Sequence, residues 1–262
     1  MSASNVDIMT AKLYYTAAFP TIQVLLDDVP ENKKKFARVN KTVQFGAMND
    51  GKLMACTIRF ENGKITSEEG EAENPDLTLT FDSVEKMNAL LKGGLTLPKI
   101  KGNAAFLAKF LPLLLGLKVM TKDNAKLKDD AEKKLKVKMS LYMITRALSK
   151  YNKLGDPDFH EFCLRQPERI YQFAVDEGEE KNAVACYFRV SQGKSKSGHG
   201  VYDRRSPFVL FHFFSVEGAL KVLGKECEFV EGVEKGYVET IGSPEYACYL
   251  NDYMAILQGM LQ

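Results

Sequence analysis

The ten residues ACTIRFENGK, positions 55–64, return in a second version, ACYFRVSQGK, at positions 185–194. The offset is 185 − 55 = 130 residues, and Gly70 and Gly200 keep it. The even-numbered residues from 54 to 60 and from 184 to 190 are apolar, which indicates a strand with one buried face. An Xaa-Gly pair follows each strand and supplies the positive φ of a tight hairpin turn. The two stretches therefore predict the same hairpin twice.

Further matches extend the repeat in both directions. VQF at 43–45 pairs with YQF at 171–173, PDLTLTFDSVE at 75–85 with PFVLFHFFSVE at 207–217, and GN at 102–103 with GS at 242–243. These offsets are 128, 132 and 140 residues, in unbroken order. A period near 130 is much longer than the roughly 20 to 50 residues of a solenoid repeat. We therefore expect two domains, each with its own hydrophobic core.

Each repeat predicts a helix, four strands, a helix, a strand and a final helix. The change of period after residue 81 marks a helix start, since Asp82 and Ser83 are capping residues and Glu85 follows Asp82 at the spacing of a capping box. The predicted fold class is α+β, with two tandem domains, each a mostly antiparallel sheet of about five strands covered by helices. We place the first domain at residues 1–120, a lysine-rich helical connector at 121–137 and a second, divergent domain at 138–262.

The composition argues against several classes of protein. Lys and Arg number 36 against 34 Asp and Glu, so the formal charge of +2 does not favour nucleic acid as a partner. Five widely spaced cysteines without a CxxC pair predict neither a disulfide framework nor a zinc site. No basic-then-apolar leader and no uninterrupted apolar run of spanning length is evident. We expect a protein of the cytoplasm.

Three segments of the first repeat, PDLTLTF at 75–81, SVEKMNALLKG at 83–93 and KIKGN at 99–103, resemble the sterol carrier protein 2 family. The resemblance covers most of residues 1–120 and, more weakly, 138–262, where KIKGN has become ETIGS at 239–243. It implies a five-stranded sheet with helices on one side. Between them it implies an apolar cavity that accepts fatty acyl chains, sterols or similar lipids, without catalysis.

The resemblance carries no polar triad, so the candidate site residues are chosen by position and apolarity. They lie in the first domain and form the predicted lining of a ligand cavity: Met54, Ile58, Leu79, Phe81, Met87, Leu90, Leu91, Leu107, Phe110 and Leu114. The second domain is expected to be a structural partner, because its last helix has one ordinary apolar stripe. We expect binding of a lipid or other apolar molecule, with transfer as an extension of it.

The terminal helix of the first domain leaves an alternative open. It is apolar nearly all round, and Pro112 is expected to kink it. Such a helix would serve as a cavity lid or membrane contact, or as the interface of a non-catalytic interaction or dimerisation module. The lysine-rich connector likewise would rest on an anionic membrane or, as charge runs usually do, face solvent.

Signals for enzymatic chemistry are weak. Residues 193–200, GKSKSGHG, lack the residue order of a phosphate-binding loop. His160 and Cys163 would be half of a metal site, and a second pair at ligand spacing is missing. The sequence contains no GxSxG motif. The prediction is a protein without catalytic residues, metal or cofactor.

Overall fold

The structure, a computed structural model, describes residues 2–261. The chain divides into two units. Unit 1 comprises residues 1–121 and 260–262, and unit 2 comprises residues 122–259. Residues 122–137, most of the expected connector, therefore count with unit 2.

Unit 1 begins with an almost continuous helical region, in agreement with the helix predicted at the start of each repeat. It consists of α1 (Asn5–Leu13), a π-helical turn (Tyr14–Ala18), a 3-10 turn (Phe19–Thr21) and α2 (Ile22–Asp28), and α3 (Pro30–Phe36) follows. The remaining elements are β1 (Asn40–Asn49), β2 (Lys52–Glu61), β3 (Lys64–Glu69), β4 (Leu77–Phe81), α4 (Val84–Leu91), β5 (Lys99–Gly102) and α5 (Ala104–Leu115).

Unit 2 repeats this order with additions. Its elements are α6 (Asp130–Leu154), α7 (Pro157–Leu164), β6 (Arg169–Glu177), β7 (Glu180–Ser191), β8 (Lys194–His199), β9 (Val209–Phe213), α8 (Val216–Leu223), α9 (Phe229–Glu234), β10 (Val238–Gly242) and α10 (Pro244–Leu261). The short helix α9 has no counterpart in unit 1.

The two sheets have the same topology. Their strand orders are β3-β2-β1-β4-β5 and β8-β7-β6-β9-β10. In each sheet one central pair is parallel, β1 with β4 and β6 with β9, and every other pair is antiparallel. The predicted fold class, two mostly antiparallel five-stranded sheets covered by helices, is confirmed.

The pairing register of the central strands is also equivalent in the two sheets. Phe45 lies opposite Cys56 on β2 and Leu79 on β4. In unit 2, Phe173 lies opposite Cys186 on β7 and Phe211 on β9. Paired residues share a sheet face, so these side chains form the centre of each core, and all six are at most 1% exposed.

A buried glutamine next to this position is kept in both units. The Oε1 atom of Gln44 accepts a hydrogen bond from the Ala72 amide at 2.9 Å, and Oε1 of Gln172 accepts one from the Tyr202 amide at 2.9 Å. Each bond fixes the segment that leads into the parallel strand.

The predicted hairpin turns are confirmed. Asn62 and Gly63 have φ values of 49° and 82°, and Gln192 and Gly193 have values of 47° and 79°. Two successive positive φ angles define the turn whose twist suits a two-residue hairpin.

A glycine at the end of the last strand of each unit is required by a close backbone contact as well as by its positive φ. A Cβ atom on Gly102 would lie 2.3 Å from the Asp76 carbonyl oxygen, and one on Gly242 would lie 2.1 Å from that of Phe208. Both glycines have φ above 110°. No larger residue fits where the chain turns from the edge strand into the final helix.

The start of α4 corrects one detail of the sequence prediction. Ser83, not Asp82, caps the helix, since its side chain accepts a hydrogen bond from the Lys86 amide. Ser215 caps α8 in the same way. Asp82 instead forms ion pairs with Lys86 and Lys99.

The lysines of the expected connector are largely engaged within unit 2. Nζ of Lys122 lies 2.8 Å from Glu132, and Lys133 and Lys134 pair with carboxylates, including Glu217 and Glu177. Lys136 is only 7% exposed and donates to the Lys122 carbonyl at 2.5 Å. These contacts hold the first turns of α6 to their surroundings and leave less positive charge for a membrane surface.

A charged cluster stabilises the outer face of the second sheet. Nε2 of His212 lies 3.0 Å from Asp176 and its Nδ1 lies 2.8 Å from Glu239. Burial alone would raise the pKa of Asp176, but hydrogen bonds from Lys181, the Asn182 amide and His212 lower it to about 2. Burial alone would lower the pKa of His212, and its two carboxylate partners raise it above the usual value instead.

We expect Asp176→Asn to destabilise the protein by about 2 kcal/mol at pH 5 to 6, because the ionised carboxylate is bound more tightly in the folded state. Since the folded-state pKa lies below the unfolded one, this loss should shrink as the pH falls from about 4 towards 2. Calorimetric unfolding at several pH values measures it. Asp82→Asn, which removes two exposed ion pairs, is the control and should change little. A constant deficit down to pH 2 would contradict this account.

Candidate functional site

An insertion distinguishes unit 2 from unit 1. The offset between equivalent residues is 132 at Glu85 and Glu217 and 140 at Gly102 and Gly242, so eight residues are added between them. The added segment follows α8 and contains α9. It lies beside the helix-covered face of the sheet.

A cavity of about 210 Å³ lies between this segment, the sheet and α10. Its lining combines apolar side chains with polar ones, and the two kinds contribute about equally to its surface. The lining consists of Phe173, Phe211, Phe213, Val222, Leu223, Lys225, Cys227, Glu228, Phe229, Asn251, Met254, Ala255 and Gln258.

Aromatic rings form the floor and one wall. The rings of Phe173 and Phe211 stack with their centroids 4.7 Å apart and planes 4° apart. Phe229, the first residue of α9, meets Phe211 edge to face at 5.8 Å. Because Phe173 and Phe211 are buried in the sheet register described above, this part of the cavity is rigidly placed.

The other wall is the segment between α8 and α9. Lys225 has a positive φ of 57°, and Nε2 of Gln258 on α10 donates to the Leu223 carbonyl at 3.3 Å. Lys225 and Glu228 are the exposed charged residues of this wall. The Glu226 side chain accepts a hydrogen bond from Nδ2 of Asn124 at 2.6 Å, and the Glu226 amide donates to the Lys221 carbonyl at 2.9 Å, so the segment is also held to α8 and to the residues before α6.

Two groups near the cavity bear on its chemistry. Burial raises the pKa of the Cys227 thiol, which therefore stays protonated at neutral pH and is a weak nucleophile. Thr240 stands opposite Phe211 on β10, and its hydroxyl is buried without a hydrogen-bond partner in the described part of the chain. The arrangement suits binding of apolar groups more than bond-making chemistry.

The volume limits what fits. A dry apolar cavity of about 150 Å³ holds benzene, whereas sites for larger organic ligands run from about 300 Å³ upward. At about 210 Å³ the cavity admits a short or bent hydrocarbon chain. A rigid polycyclic ligand would require the segment between α8 and α9 to move.

The ten candidate residues predicted from the sequence lie elsewhere. They belong to unit 1, and none of them lines this cavity. Six are buried in the core, namely Ile58, Leu79, Phe81, Met87, Phe110 and Leu114, and four are partly buried, namely Met54, Leu90, Leu91 and Leu107. The Tyr15 hydroxyl lies 3.1 Å from the Met87 sulfur, which ties this core to the first helical region.

Unit 1 has a more open groove of about 350 Å³. It contains three cationic side chains and is lined by Arg38, Val39, Asn40, Lys41, Asn103, Ala105, Phe106 and Lys109. None of the ten predicted residues lines this groove either. Whether those residues surround a ligand therefore stays a prediction.

The sequence does not predict the cavity in unit 2, because the last helix of unit 1 is the more apolar of the two. One signal was present, namely the step in offset from 132 to 140. An insertion that brings Cys227 and Phe229 to the edge of a core adds a wall that the other unit lacks.

The apolar surface of helix α5 is partly buried and partly exposed. Phe106, Phe110, Leu113 and Leu114 are buried, whereas Leu111 and Leu115 are 42% and 45% exposed. In the described chain one helical stretch, Ala104–Thr121, has the length and mean hydropathy of a membrane span, and 33% of it is buried. Core helices of soluble proteins meet the same criteria.

No group of three or more metal-ligating side chains occurs within residues 2–261. The five cysteines are free, and Cys248 is the exposed one among them. His160 bonds to Asn152 at 3.0 Å, and Cys163 is buried. The structure therefore assigns these two residues to packing and hydrogen bonding.

Comparison with known proteins finds solved structures whose fold is similar to part of this chain. No family model and no curated protein sequence matches the chain. Among solved structures, the chain is similar to palmitated SCP2L2 of Aedes aegypti, with 19% identity, a TM-score of 0.31, and coverage of 42% of this chain and 90% of that one. It is also similar to sterol carrier protein domain 2 of Helicoverpa armigera, with 21% identity, a TM-score of 0.31, and coverage of 45% and 94%. Both belong to the family that the sequence resembles.

We expect Val222→Leu to raise the stability by about 0.5 to 1 kcal/mol, because the added methylene enters existing space. Val216→Leu is the matched control on the same helix. Val216 is buried and does not line the cavity, so there the larger side chain should destabilise by about 1 kcal/mol or more. Thermal unfolding of both variants decides the point, and equal destabilisation would show that the cavity is not open to a larger side chain.

Proposed function

We propose that unit 2 binds an apolar chain in the cavity between its sheet and the segment from α8 to α9. The observation that carries the proposal is a cavity with aromatic and aliphatic side chains in its lining, built on the stacked Phe173 and Phe211 rings. Burying hydrocarbon there is favourable by up to about 0.8 kcal/mol per methylene.

A linear acyl chain suits the cavity better than a sterol. The volume supports this, since a flexible chain enters in part and leaves its polar end at Lys225 and Glu228. Lys225 would favour a carboxylate or phosphate at that end, and Glu228 would favour a donor. A sterol would have to displace Phe229 and its helix.

Binding without catalysis is the function that this chemistry supports. The Cys227 thiol in the lining is protonated at neutral pH, and no histidine lines the cavity to activate it. The free cysteines support a location in a reducing compartment, the cytoplasm. Transfer of the ligand between membranes would be an extension of binding.

Native mass spectrometry of the purified protein, followed by denaturing extraction and lipid analysis, tests the proposal. We expect bound acyl species or uptake of a fluorescent fatty acid at one site. Val222→Phe fills part of the cavity and should weaken uptake by about tenfold or more.

Leu90→Phe is the matched control, because Leu90 is the unit 1 equivalent of Val222 at the offset of 132. It is also one of the ten residues predicted from the sequence. Loss of uptake in Leu90→Phe alone would place the ligand in unit 1 instead. An empty protein that takes up no fatty acid and forms a tight dimer would support the interaction module.

A further inference from the structure

The segment between α4 and β5 in unit 1 presents two leucines to solvent. Leu95 and Leu97 are 101% and 93% exposed, the highest values among the exposed large hydrophobic residues of the described chain. Scattered surface leucines are ordinary, but two completely exposed ones at alternate positions of one loop are not.

The loop is held in this arrangement. Gly93 has φ of +100° and its amide bonds to the Leu90 carbonyl at 3.0 Å, which ends α4. Thr96, between the leucines, donates its hydroxyl to the Lys86 carbonyl at 2.7 Å. Because Thr96 is tied back to the helix, its two neighbours are directed away from it.

Lysines flank the two leucines in the sequence. Residues 92–101, KGGLTLPKIK, contain three lysines and no carboxylate. Nζ of Lys99 lies 2.8 Å from the exposed Asp82, and this pairing leaves the segment with an excess of positive charge. Ile100 adds a half-exposed apolar side chain at 50%. Apolar side chains flanked by lysines suit a surface that is apolar inside and negatively charged outside.

The corresponding segment of unit 2 has the opposite character. Residues 224–237 contain four glutamates and two lysines, and part of the segment covers the cavity. The exposed, basic form is therefore peculiar to unit 1 and is not required by the fold.

We propose that residues 92–101, the docking loop, insert Leu95 and Leu97 into the surface of an anionic phospholipid bilayer. A second copy of the chain fits less well, since a symmetric contact would bring the three lysines against themselves. A bilayer with anionic headgroups complements the lysines and accepts the leucines together.

The chain contains no tryptophan, which allows a specific reporter. In Leu97→Trp, we expect the emission to shift to the blue on adding vesicles of phosphatidylcholine with phosphatidylserine, and to be quenched by brominated lipid. Val230→Trp, at a 65% exposed site in the unit 2 segment, is the matched control and should not respond.

Three further variants separate the contributions of the leucines and the lysines, measured by vesicle sedimentation. Leu95→Ser with Leu97→Ser should weaken partitioning about tenfold or more. Lys99→Gln and Lys101→Gln should each weaken it about fivefold on anionic vesicles, with little change on phosphatidylcholine alone. All these positions are exposed, so folding should be unaffected.

The inference is overturned if the wild-type chain does not bind anionic vesicles, or if the double serine variant binds as well as the wild type. It is also overturned if light scattering shows a dimer that the double serine variant converts to a monomer, since the loop would then be a protein interface. Fatty acid uptake by the unit 2 cavity does not depend on any of these outcomes.

Discussion

The parallel pairing of two strands that are distant in sequence organises each unit. Phe45 against Leu79, and Phe173 against Phe211, place a buried residue at the centre of a sheet whose other pairs are antiparallel hairpins. The parallel partner follows a loop fastened by Gln44 or Gln172, and the next helix then returns over the same sheet face. Everything that covers that face, including the cavity walls, depends on this register.

The two units differ most in the segment between a helix and the edge strand that follows it, α4 and β5 in unit 1, α8 and β10 in unit 2. In unit 2 an eight-residue insertion with α9 packs against Phe211 and borders the cavity. In unit 1 the shorter segment stays outside and exposes Leu95 and Leu97. Neither change disturbs the sheet, because the glycine that ends each edge strand keeps the same conformation. One position in the fold would thus supply a ligand site in one unit and a membrane contact in the other.

Periodicity and turn chemistry predicted the hairpins, the order of helices and strands along the chain, and the fold class, since alternating residues such as Cys56 and Ile58, with Asn62 and Gly63, leave few alternatives. The order of the strands within each sheet was not predicted. The capping residue was misassigned because Asp82 and Ser83 are both good caps and only their backbone angles distinguish them. The cavity was not predicted, because a void depends on how Phe229 packs against a distant strand. The exposure of Leu95 and Leu97 was not predicted either, since apolarity alone does not distinguish a core residue from a surface one.

The central claim is that an apolar ligand occupies unit 2 beside the stacked rings. Isotope-filtered nuclear Overhauser spectra of the protein with a carbon-13-labelled fatty acid test it most directly. We expect contacts from the acyl chain to the Met254 methyl group and the Phe211 and Phe229 rings, which line the cavity. Contacts confined to residues such as Leu107 and Phe110 of unit 1, or none at saturating ligand, would contradict the claim.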